Sequence, residues 1–97
     1  MPPADFRTLV STLSSQALMY LGAYPDPSGR PMISLETARH SLDLLGVLEA
    51  KTAGNLSDEE QSHLDAMLYE LRMTYVEVAR AVRQQTIESA GLPPRGM

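Results

Sequence analysis

Glu60 and His63 stand three residues apart in a stretch that reads as a helix, the carboxylate–imidazole spacing used by di-iron bundles. One chain supplies one copy of that pair and such sites need two, so only a dimer could complete the set. His63 also falls beside the apolar seam of its helix and not in it, and a solvated helix start accounts for both residues. His40 and Asp43 repeat the spacing on another helix and suggest an acid–base pair, yet side chains three apart on a helix commonly pair for surface stability. Ser, His and Asp all occur, but no Gly-x-Ser-x-Gly elbow places them together. Lys51-Thr52-Ala53-Gly54-Asn55 has the residue types of a phosphate loop in the wrong order. A P-loop puts its glycines before Lys-Thr and then opens a helix, whereas here Lys51-Thr52 closes one. Met19, Met32, Met67 and Met73 read as adaptable packing and not as a cofactor pocket. These residues predict no catalytic, cofactor-binding or metal-ligating site, and hence no enzyme.

Composition narrows the class of partner. The chain has 97 residues, enough for a single domain that buries more than ~60% of its unfolded surface. Its formal net charge is −4, which argues against nonspecific binding of nucleic acid or anionic lipid. Arg80, Arg83 and Arg95 make the C-terminal end mildly basic, too little to reverse that expectation. There is no Cys, so disulfides, a thiolate nucleophile and Cys-ligated metals are excluded, in keeping with a reducing cytoplasm. The opening Met1-Pro2-Pro3-Ala4-Asp5 lacks the basic segment and apolar run of a signal peptide, and no stretch reaches the ~18 apolar residues of a membrane span. A cytoplasmic protein is expected.

The elements that must position these residues are helical. Aromatics are scarce, with one Phe, four Tyr and no Trp, and Leu, Ala and Met carry the apolar surface. A first helix is predicted from about Phe6 to Leu21, capped by Asp5, with Phe6, Leu9, Val10, Leu13, Ala17, Tyr20 and Leu21 on its apolar face. Gly22 ends it. The Pro-rich linker 23–33 is long for a bundle connection and is expected to be pinned to the helices by Tyr24, Met32 and Ile33; a binding loop is the alternative. A second helix runs from about Leu35 to Ala53 behind a Ser34 cap, on a stripe of Leu35, Ala38, Leu42, Leu45 and Leu48. Lys51 suits its last turn, and Gly54 should take positive φ in the turn that follows. Ser57 and Glu60 form a capping box for a third helix from about Asp58 to Glu88. Its seam is Leu64, Leu68, Leu71, Tyr75, Val78 and Val82, with Met67 beside it.

The architecture expected is therefore all-α. Three helices occupy an ordered core of about residues 5–88, helices 2 and 3 form an antiparallel hairpin, helix 1 packs across them, and residues 90–97 form a flexible tail. Two faces are left over. Helix 2 carries Leu44 and Val47 away from its stripe. Helix 3 carries a second line, Tyr69, Met73, Val76, Arg80, Arg83 and Ile87, whose Arg stems can also pack. At ~1.5 Å per residue, helix 3 is roughly 45 Å long against 25–30 Å for its neighbours, so one hairpin cannot cover it. The expectation is a non-enzymatic homodimer, a structural or interaction module. The alternatives are an accessory subunit docking on an unrelated cytosolic partner, or a metal-binding helical protein using Glu60, His63 and His40.

Several segments together resemble a known family. They are Asp5-Phe6…Leu9, Ala17-Leu18…Leu21-Gly22…Pro25-Asp26-Pro27, Leu35-Glu36…Ala38, Leu42-Asp43…Leu45, Lys51-Thr52-x-Gly54-Asn55-Leu56-Ser57-x-Glu59-Glu60, and Leu68-Tyr69-Glu70-Leu71-Arg72-Met73…Val76-Glu77. The pattern is similar to the bacterial family called domain of unknown function 1844, over about residues 5–79. Lys-Thr-x-Gly-Asn-Leu and Leu-Tyr-x-Leu-Arg are its most specific parts. The resemblance implies a bacterial source and an autonomous small domain, and it carries over no catalytic residue.

Overall fold

The computed structural model describes residues 1–24, 27–30 and 32–89, with the backbone alone at 88 and 89. Three helices follow one another: α1, Phe6–Tyr20; α2, Leu35–Lys51; and α3, Asp58–Ser89. Among the described residues the only extended pairing is an isolated antiparallel bridge between Leu21 and Ile33. The fold is all-α. The expected tail at 90–97 lies outside the described residues, as do Pro25, Asp26 and Pro31 of the linker.

Short polar side chains set each helix start by satisfying amides that have no intrahelical partner. The Asp5 carboxylate accepts from the Thr8 amide at 2.8 Å, and the Ser34 hydroxyl accepts from the Thr37 amide at 3.4 Å. At α3 the box is reciprocal. The Glu60 amide donates to Ser57 Oγ at 3.2 Å, and the Ser57 amide donates to Glu60 Oε1 at 2.9 Å. The Thr8 backbone and side-chain bonds hold the Asp5 carboxyl below its ordinary range. This cap therefore supports α1 above that range and fades as pH falls through the depressed value.

The helix ends differ from one another. α1 closes in a Schellman arrangement, with Ala23 N–H on Leu18 C=O, Gly22 N–H on Met19 C=O, and Gly22 at φ 90°. α2 stops at Lys51, two residues short of the Ala53 expected from the sequence. Thr52 explains the early stop. Its hydroxyl donates to Leu48 C=O at 2.7 Å, and its own carbonyl then accepts from Asn55 N–H at 2.9 Å. The resulting four-residue turn puts Gly54 third, at φ 80°, the position where a turn of this kind requires positive φ.

Packing differs from the expected faces in α1 and in the linker. The core joins Val10 and Ala17 of α1, Leu42 and Leu45 of α2, and Leu64, Leu68 and Leu71 of α3. Leu9, assigned to the apolar face of the first helix, is instead exposed, while Ser14 is buried. The Ser14 hydroxyl is satisfied by Val10 C=O at 2.8 Å, so a small polar residue can sit inside at little cost. Ser14, Ala17, Ala38 and Ser41 are all buried, and α1 packs most extensively on α2. Tyr24, Met32 and Ile33 do not pin the linker, because all three side chains are exposed. Backbone does so instead, through the Leu21–Ile33 bridge and the Ser34 N–H bond to Tyr20 C=O at 2.8 Å.

α3 outruns its neighbours. Its 32 residues exceed the 15 of α1 and the 17 of α2, and its buried core positions end at Leu71. Tyr75 packs at the core's margin, and Val78 and Val82 are half-buried outside it.

Two glycines test this account in opposite directions. Gly54 needs its positive φ although an added Cβ would meet nothing within 4 Å. Gly54→Val should therefore lose about 1–2 kcal/mol through backbone strain alone. Gly46 lies inside α2, again with open space for a Cβ. Gly46→Ala should gain about 0.5–1 kcal/mol. Thermal unfolding reads both, since each kcal/mol moves the Tm of a small domain by about 4–8 °C. A Gly54→Val protein melting like its parent would refute the turn assignment.

Candidate functional site

The polar residues with chemical potential are dispersed and mostly engaged. Glu60 is tied into its capping box, which turns its carboxylate toward Ser57. Asp43 pairs with Arg39 Nε at 3.4 Å and not with His40, so the carboxylate that the spacing offered to His40 has a different neighbour. Arg39 is held firmly charged, first by its hydrogen bond to the Tyr75 side chain and then by Asp43. His40 is exposed. No group of three or more His, Cys, Asp and Glu side chains able to hold a metal is found among the described residues.

His63 is not the plain surface flank that its position beside the seam suggested. The residue is half-buried, and its Nδ1 is enclosed without a hydrogen-bond partner. It closes an open groove of about 430 Å³ whose other wall is the hydroxyl row Thr8, Ser11, Thr12 and Ser15 of α1, with Asp5 and Arg7 at one end. The spacing of those hydroxyls was visible in the sequence; that they face α3 depends on how α1 lies across it.

The surplus apolar surface is the more substantial feature. Tyr69 is 68% exposed, and Met73 and Val76 are about half exposed, on consecutive turns of α3. Arg80 and Arg83 continue the line exposed, and Ile87 ends it half-buried. Two shallow grooves between α2 and α3 border this stripe. One is lined by Arg39, Leu42, Asp43, Gly46, Arg72, Tyr75 and Val76. The other is lined by Glu49, Asp65, Leu68, Tyr69, Arg72 and Met73. The α2 members therefore advance as the α3 members recede. Arg72 is common to both grooves and lies 4.0 Å from Glu49, an exposed pair of little energetic weight. Leu44 and Val47 are exposed as well but line neither groove. The eight expected interaction residues thus fall into two places: the α3 stripe from Tyr69 to Ile87 and a separate α2 pair.

Among the described residues, nothing gathers a nucleophile, a base and an electrophile. A large tyrosine and a methionine beside long arginines, residue types enriched at protein contacts, form instead an exposed surface with Val76. In the comparison with known families, the one described as Domain of unknown function (DUF1844) matches residues 3–77. No curated protein and no solved structure matches the chain.

The orphaned nitrogen gives a direct test of the His63 environment. Removing a buried polar atom that lacks a partner relieves an unmet desolvation cost. His63→Leu should leave stability unchanged or raise it by up to about 1 kcal/mol in urea unfolding. A loss greater than that would mean the imidazole has a polar role in the groove.

Proposed function

We propose that this chain, which belongs to the DUF1844 family, is a non-enzymatic module whose work is self-association. The observation that carries this reading is the α3 stripe. Tyr69, Met73 and Val76 stand exposed on a helix whose second half extends past the core that α1 and α2 provide. Burying such side chains is worth about 25 cal/mol per Å² of apolar surface, and the chain by itself leaves about half of Met73 and Val76 and more of Tyr69 in solvent. A cytoplasmic setting belongs to this reading, since a cysteine-free fold needs no oxidising compartment. No helix among the described residues is long and apolar enough to cross a membrane.

A second reading is favoured by one observation. Leu44 and Val47 form an exposed apolar pair apart from the stripe, which suits an accessory subunit that docks on an unrelated protein through α2.

Light scattering at micromolar concentration should show a dimer or larger. Met73→Glu with Val76→Glu should return it to monomers with helix content intact, while Leu44→Glu with Val47→Glu should leave the assembly unchanged. A monomeric parent would overturn self-association. Dissociation by the α2 pair alone would move the contact to α2.

A further inference from the structure

Around α3, the positions Asp58, Ser62, Asp65, Tyr69, Met73, Val76, Arg80, Arg83 and Ile87 fall within roughly 80° of arc at ~100° per residue. Along that strip the chemistry changes in order. Acid stands at the N-terminal end, in Asp58 and Asp65. Apolar and aromatic surface occupies the middle, and Arg80 and Arg83 stand at the C-terminal end. Asp65 is exposed and accepts a bond from Gln61 Nε2 at 2.9 Å. Arg80 and Arg83 are exposed, and neither joins an ion pair among the described residues.

We infer that two copies pair through this strip with their α3 helices antiparallel, about a two-fold axis passing between Arg72 and Met73. This deepens the self-association read above and rests on it. About that axis Asp65 falls opposite Arg80 of the second copy, Tyr69 opposite Val76, Ser62 opposite Arg83 and Asp58 opposite Ile87. Every position of the strip except Met73, which lies beside the axis against Arg72 of the second copy, therefore meets another position of the same strip, the self-complementarity that a two-fold interface requires. Charge selects the direction. Parallel pairing in register would set Asp65 against Asp65 and Arg80 against Arg80, and like charges facing each other are penalised. Antiparallel pairing sets Asp65 against Arg80 twice over and brings the positive end of each helix dipole toward the negative end of the other. The apolar middle, Tyr69, Met73 and Val76, lies at the centre of the contact, where binding energy concentrates. Local charge also favours a second copy as the occupant: two chains of net charge −4 repel overall, yet this strip meets its own copy with opposite charges in register.

The chain has no cysteine, so single-cysteine variants report the geometry cleanly. Met73→Cys lies beside the axis and should cross-link to its own copy with a short bismaleimide. In Ile87→Cys the two thiols would stand roughly 44 Å apart, at ~1.5 Å per residue, and should not cross-link. Asp65→Arg and Arg80→Asp should each raise the dimer dissociation constant at least about tenfold, because each replaces attraction by repulsion at two symmetric places. The double variant should recover to near the parent value. Circular dichroism confirms that each variant stays helical. A dimer that cross-links through position 87 and not 73, or a double swap that fails to recover, would overturn the antiparallel pairing while self-association stood. A parent that is monomeric by light scattering would overturn both.

Discussion

Leu45, Leu64, Leu68 and Leu71 are almost inaccessible to solvent, and they lie where α2 and α3 meet under Val10 and Ala17 of α1. The other features of the fold follow from where on α3 this nucleus sits. Because α3 supplies its core leucines from Leu64 to Leu71, α1 and α2 are drawn to its first half. Small side chains on the facing sides of α1 and α2 let those helices approach without a layer of large residues between them. A continuous α-helix then carries the rest of α3 outward, since nothing in 72–89 breaks it: that segment has neither glycine nor proline. The overhang is a geometric result of a long uninterrupted helix meeting two short ones.

Helix starts were legible because they rest on local chemistry. Asp5, Ser34 and the Ser57–Glu60 box each bond within three residues, so type and spacing suffice to place them. Gly54 was legible for the same reason. The end of α2 was misplaced by two residues because a threonine hydroxyl that takes a helix carbonyl is a weaker signal than a glycine. The face of α1 is not legible in the sequence for a different reason. Leu9 and Val10 are equally apolar neighbours, and only the position of α2 decides which of them is buried. Ser14 reads as polar until its bond to Val10 is seen. In the linker, apolar type suggested side-chain anchoring, whereas the tie is a pair of backbone contacts that any residue types could make.

The candidate surface was legible to a comparable depth. Helical spacing was enough to separate Tyr69, Met73 and Val76 from the leucine seam, and they are exposed as that separation implies. It was not enough to show that Leu44 and Val47 belong elsewhere, because relating two helices requires their crossing and rotation. Pair chemistry was the least legible. Asp43 has both His40 and Arg39 within a helical turn and faces the guanidinium, a permanent cation with several donors. That His63 shares a groove with residues of α1 depends on how the two helices pack, which helical spacing alone does not give.

The separation of the two apolar places limits what kind of assembly this surface can build. A surface complementary to itself about a two-fold axis closes once two copies meet, whereas two different sticky places on one molecule favour open-ended chains. The α3 strip has its complement within itself: acid at one end, arginine at the other, apolar surface between. Leu44 and Val47 lack such a counterpart beside them, and as two side chains they are far smaller than a stable interface. A closed dimer through α3 would leave them accessible at both copies, related by the same axis. Pairing through α3 would thereby convert one weak, isolated α2 contact into two with fixed spacing.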